Sequence, residues 1–239
     1  MPNWCANDLT ISGKTTDINA MVELFDVDAN GVVIFSFEKI YPTPDELKND
    51  DLWSSGTSAD TIAKQYKRND PLTDIDGVSL LGRDCVLSEG VKEFLDDSRY
   101  IDWVNSYVLL KEEDDEDKIM SFAQDFVKMV NRLEAYGFTG WYGWRVANWG
   151  TKWDVAPDDA SINIVEYKGN RNKSKFSSTF DTAWSPPIGV LHKLSERFPE
   201  LEIKVAFFEG GCCFKGTAKF KGGELISSTE GSYRGPRGG

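Results

Sequence analysis

The segment SPPIGVLHKLSERFP, residues 185–199, is a nearly complete specification of one amphipathic helix. Ser185 can cap its start, and Pro186 and Pro187 suit first-turn positions that donate no backbone hydrogen bond. Ile188, Leu191, Leu194 and Phe198 recur on one face, His192 flanks that stripe, and Pro199 ends the helix. Its neighbours read as strands. SINIVE places Ile162 and Ile164 on one face, and SKFSSTFDTAW follows the turn at KGNRNKSK. After the helix EIKVAFF alternates, EGG turns and FKGTAKF alternates again, a hairpin with Phe214, Ala218 and Phe220 on one face. A helix bracketed by such hairpins must lay its apolar stripe on the sheet they form, so this end of the chain reads ββαββ.

The opening residues carry a matching signal. NDLTIS alternates until Gly13, Asp17 is a candidate N-cap for a helix with Ile18, Met21, Val22 and Phe25 on one face, and VVIFSF reads as a buried strand that stops at YPTP. Residues 45–136 differ, with short polar helical pieces and one strong helix from about Lys118 to Tyr136 that Gly137 closes. The predicted organisation is therefore 1–44 and 137–228 as two parts of one core, 45–136 as a mainly helical insertion and 229–239 as a flexible tail rich in Gly, Ser, Pro and Arg. The fold class this predicts is α+β, a largely antiparallel sheet with helices on one face.

At 239 residues and 40% hydrophobic content the chain can build a real core without staples. Cys5, Cys85, Cys212 and Cys213 contain no CxxC pair, and adjacent Cys212 and Cys213 would point to opposite faces of a strand, so they read as reduced thiols. MPNWCAND lacks the pattern of a signal peptide and no apolar run approaches the ~20 residues that span a bilayer, so the expectation is a soluble protein of the cytoplasm. The formal charge of −12 repels phosphate backbones on average, which argues against nucleic acid unless a local patch meets it.

Most motifs have a plain reading. DVDANG offers Asp26, Asp28, Asn30 and Gly31 at the first positions of a calcium loop, but position 12 is Phe37, so a turn rich in Asp, Asn and Gly is preferred to an ion site. GKT at Gly13–Thr15 lacks the upstream glycine of a phosphate loop. His192 is the single histidine and has no partners at zinc-ligand spacing, and no GxSxG marks a serine nucleophile. The acids Glu112 to Asp117 precede the strong helix, whose dipole favours them there. No metal or other cofactor and no catalytic residue is expected.

Two sets of residues are candidate binding groups. WYGWRVANWGTKWD concentrates Trp141, Trp144, Trp149 and Trp153, which suit a turn-rich segment folded onto the sheet as core. With Arg145, Lys152 and Asp154 they are also the candidate rim of a pocket. Lys168, Arg171, Lys173 and Lys175 form the main basic island, the candidate contact for nucleic acid.

MPNWCAND, NWGTKWD at 148–154, TAWSPP at 182–187 and LSERFPEL at 194–201 together resemble the YubB-type ferredoxin-like domain family, encoded by bacteriophages and plasmids and of unknown function. The resemblance covers about 1–42 and 137–220, implies a ferredoxin-like fold without an iron-sulfur cluster, and brings no catalytic residues. It frames the expected role as a non-enzymatic accessory protein in the cytoplasm of a bacterial host, acting on a host protein such as a defence component. A single-stranded nucleic-acid binder and a small-ligand binder or enzyme with a tryptophan-rimmed pocket are the alternatives.

Overall fold

The computed structural model describes residues 3–48, 58–70, 87–96, 100–105, 116–156, 160–167 and 170–235. In chain order its elements are β1 (Trp4–Lys14), α1 (Thr15–Val22), β2 (Asp26–Val27), β3 (Val33–Ile34), α2 (Phe37–Ile40), α3 (Asp45–Lys48), α4 (Ser58–Arg68), α5 (Glu89–Leu95), α6 (Glu116–Tyr136), α7 (Trp141–Trp149), β4 (Ser161–Tyr167), β5 (Asn170–Ala183), α8 (Ile188–Arg197), β6 (Glu202–Glu209), β7 (Phe214–Lys221) and β8 (Glu224–Ser232). The chain divides into two units, residues 1–43 with 145–239, and residues 44–144.

The first unit holds a six-stranded antiparallel sheet in the order β4-β5-β1-β6-β7-β8. β1, α1, β4, β5, α8 and β6 follow the β-α-β-β-α-β order of a ferredoxin-like fold, and β7 and β8 extend one edge. Period-two patterning turns one face into the core: Leu9 lies opposite Ser178 and Val205, and Ile11 opposite Phe176 and Ile203. Ile18 and Met21 of α1 and Val190, Leu191 and Leu194 of α8 are buried with them. Each such side chain contributes ~1.5–3 kcal/mol by leaving water.

In the second unit the stripe of α6 buries Ala123, Phe126, Met129 and Val130 in a cluster with Ile62 and Ala63 of α4 and Val91 and Leu95 of α5. Gly137, at a φ of 76°, caps α6 and donates its N–H to the Leu133 carbonyl at 3.0 Å. Buried Arg132 donates to the Thr139 carbonyl at 3.0 Å, and Thr139 donates to Asp60, which Lys64 pairs at 2.7 Å. Of the acids 112–117, only Glu116 and Asp117, in the first turn of α6, are described.

Several local expectations are corrected. VVIFSF does not enter the large sheet; Val33–Ile34 pairs only with Asp26–Val27, and α2 begins at Phe37. β1 already has β5 and β6 on its two sides, so no place beside it is left for VVIFSF; its Phe35 reaches the core from irregular backbone and its Phe37 from the first residue of α2. WYGWRVANW is a helix rather than a turn-rich segment; Gly143 lies inside it, and Gly150, at a φ of 92°, follows its last residue. α1 starts earlier than expected, so Asp17 lies inside its first turn, three residues past the capping residue Lys14, and Pro187 takes the capping place expected of Ser185. Ile164 on the edge strand β4 is 42% exposed. Cys212 and Cys213 lie in the turn between β6 and β7, not on a strand, and residues 229–232 of the expected tail belong to β8.

Candidate functional site

The tryptophan motif resolves into an inward part and an outward part. Trp149 is fully buried, packs edge-on to Phe37 and donates its indole N–H to the Tyr41 carbonyl at 2.8 Å. Arg145 stacks 4.5 Å above its ring, donates to Thr43 Oγ1 at 3.0 Å and faces Glu38 at 3.5 Å. Burial pulls the guanidinium below its ordinary value, while Glu38 and Asp154 hold it up. Asp154 accepts from the Phe37 N–H at 2.6 Å, the Glu38 N–H at 3.2 Å and Ser36 Oγ at 2.7 Å, so its carboxylate covers the start of α2. Trp144 is buried and Trp141 half-buried.

These groups clasp residues 36–43 to 145–155. The same segment is tied to TAWSPP: Thr151 donates to the Ala183 carbonyl at 3.0 Å and Ser185 donates to the Gly150 carbonyl. Gly189 lets α8 approach closely, since a Cβ there would run into the Asn148 carbonyl. Two of the motifs noted in the sequence are thus one packed junction.

Lys152 and Trp153 face outward. The Lys152 ammonium sits 4.0 Å over the Trp153 ring, and Trp153 lies 5.9 Å from Trp4, both rings more than a third exposed. Trp4 belongs to the face of the sheet opposite the core. On β1 that face carries Trp4, Ala6, Asp8, Thr10, Ser12 and Lys14, all exposed or half-buried.

The strand register assembles the rest of this face. Lys173 and Lys175 come from β5, Lys204 from β6, and Lys215, Lys219 and Lys221 from β7. With Lys14 they make seven lysines against the acids Asp8, Asp181, Glu202 and Glu224 among the described strand positions. One pair, Lys219 with Glu202, meets at 3.0 Å. Phe208, opposite Ala6 on β1, stacks on Tyr233 with ring centres 4.6 Å apart. Between these rings and Thr179 lies a groove of 740 Å³, floored by Ala6, Ala206 and Thr217.

Of the basic island, Lys173 is exposed and Lys175 half-buried on this face. Arg171 lies on β5 and Lys168 lies outside the described residues. Sequence reasoning missed Trp4, Phe208, Tyr233 and the lysines of β6 and β7. For Phe208 and these lysines the signal was present: in KVAFFE and FKGTAKFK the positions that alternate with the core residues carry them.

Other motifs are spent on structure. Asp28 accepts from the N–H groups of Asn30 and Val32, both at 2.8 Å, and the Val32 bond leads in holding its carboxyl below the usual range. Asp26 pairs with Lys39 at 2.9 Å. His192 meets the Gly223 carbonyl at 2.7 Å. Burial pushes the Cys5 thiol up to about 12 despite a bond with Thr182, so it stays protonated and a poor nucleophile. Among the described residues no group of three or more His, Cys, Asp or Glu could hold a metal ion, and no helix is long and apolar enough to cross a membrane.

No curated protein matches the chain. The crystal structure of the protein Api92 from Yersinia pseudotuberculosis aligns with a TM-score of 0.38 at 14% identity, over 99% of this chain and 100% of that one. The family model that matches is not the YubB type of the quoted motifs: residues 165–235, from the end of β4 through β8, match the ferredoxin-like domain in Api92-like protein, a ferredoxin-like family.

Proposed function

We propose that the protein is a non-enzymatic binding protein and that the open face of its sheet takes a flexible polyanion. One observation carries this reading: seven lysines gather on a single sheet face of a chain whose formal charge is −12. The negative charge is concentrated elsewhere. Residues 1–43 and 145–239 hold 16 basic and 17 acidic side chains, whereas residues 44–144 hold 11 and 22. On the face itself seven lysines stand against four acids among the described strand positions, so a polyanion meeting it finds locally positive potential, and its binding should weaken steeply with salt. Retention of the full chain on heparin, reduced by the joint variant Lys204→Ala, Lys215→Ala, Lys219→Ala and Lys221→Ala, is the expected result. Equal retention of that variant removes the sheet face from the account.

A second reading is favoured by the twofold excess of acids in residues 44–144. Here this unit engages a basic surface of a host protein in a bacterial cytoplasm, as an accessory protein of a phage or plasmid that acts on a defence or stress-response component. The resemblance of MPNWCAND, NWGTKWD and TAWSPP to YubB-type proteins supports that setting. Co-purification from bacteria after nuclease treatment, followed by cross-linking, should give a discrete protein whose cross-links fall in residues 44–144. Cross-links confined to the sheet unit count against it.

A further inference from the structure

Resting on the sheet-face reading above, we infer that the polyanion is single-stranded nucleic acid, with bases held at the aromatic end of the sheet and phosphates along the lysines. The face is not uniform. At one end lie the Phe208–Tyr233 stack, the groove beside it, and Trp4 with Trp153. Trp4 is two residues along β1 from Ala6, which pairs with Phe208, so the four rings follow one edge of the face. Trp184 stands at the same end: its N–H donates to the Asn3 carbonyl at 2.9 Å, and it is 46% exposed. Its backbone has a φ of 73°, a conformation costly for a bulky residue and one that clusters at binding sites.

Away from this end the face turns basic. Lys204 lies four residues along β6 from Phe208, ~13 Å at the rise of an extended strand, and Lys219 is directly opposite it on β7. Lys215, opposite Phe208, reaches the groove, but Asp8 and Asp181 border it with two negative charges against that one, so a phosphate is less favoured there than along Lys204, Lys219 and Lys221, whereas a base edge with N–H donors suits the two carboxylates. A chain that alternates flat aromatic groups with phosphates fits this division; a uniformly charged polyanion uses only the lysine end. A duplex hides its base faces and cannot stack on the rings.

The test uses the full chain and three probes: a labelled 20-nucleotide single strand of mixed sequence, the same sequence as duplex, and heparin. Expected is single-strand binding at least about tenfold tighter than duplex, with quenched tryptophan fluorescence, and about tenfold weakening by Phe208→Ala or Tyr233→Ala while heparin binding persists. Equal affinity for single strand and duplex, or no quenching, overturns the inference and leaves the polyanion reading standing if heparin still binds. Failure to bind any of the three probes removes both. The comparison of probes on the unaltered protein decides the matter even where a variant misfolds.

Discussion

The two units of this chain solve the same problem, burying an apolar face, with opposite use of charge. The sheet unit is nearly balanced, 16 basic against 17 acidic residues, and its strand register collects lysines on the face that the core does not use. The helical unit, with 11 against 22, buries one stripe of α6 and carries a twofold excess of acids in its sequence. Net charge alone therefore misleads about partners: a total of −12 is a property of the whole chain, while a ligand within a Debye length reads one face.

The sharpest way to break the comparison is to unfold one unit. Phe126→Ala removes a fully buried ring from the helical cluster and should cost about 3–5 kcal/mol. Hydrogen exchange should then show lost protection in α6 with β1 amides still protected; loss in both together means the units are not separately stable. A smaller effect is expected from Gly189→Ala, which forces a Cβ onto the Asn148 carbonyl and should cost about 1–3 kcal/mol, read from denaturant midpoints. Asp154→Ala, which strips three acceptor bonds from residues 36–38, should cost about 1–2 kcal/mol and loosen α2 before the sheet.

Glu209 gives the smallest and most selective effect. Burial would raise its carboxyl, but the N–H groups of Cys212 and Gly211 outweigh this and hold it below its ordinary value of 4.5. A lowered folded value favours the ionised form, so its stabilisation is complete above about 4.5 and is lost as pH falls through the folded value. Thermal melts should show wild type losing stability in that acid window relative to Glu209→Gln, with both parallel near neutrality.

What could be read from the sequence follows physical range. The α8 segment and the β6–β7 hairpin were legible because their signals lie within a few residues of one another. The alternation of Leu9 and Ile11 likewise fixed which side of β1 faces the core. VVIFSF was misread because its apolar run describes burial, and burial of Phe35 and Phe37 is what the fold delivers, without a ladder to supply strand geometry. WYGWRVANW was misread because its glycines suggested bends, although Gly143 costs a helix only ~1 kcal/mol against alanine, which packing of Trp144 and Trp149 can offset. The candidate site was half legible: Lys152, Trp153, Lys173 and Lys175 were named, but that they share a face with Trp4, Phe208 and Lys219 depends on pairings between distant strands. β8 was missed because a polar edge strand lacks an apolar face to announce it.

The central claim is that binding capacity follows the face and not the total charge. It is tested most directly by the salt dependence of single-strand affinity for two variants that each remove four lysines. One carries alanine at Lys204, Lys215, Lys219 and Lys221 of the sheet face; the other at Lys48, Lys67, Lys92 and Lys128 of the helical unit. The sheet-face variant should bind more weakly, with a log–log salt slope shallower by up to ~0.7 per lost phosphate contact, while the helical variant matches wild type. Identical slopes and affinities for both variants would contradict the account.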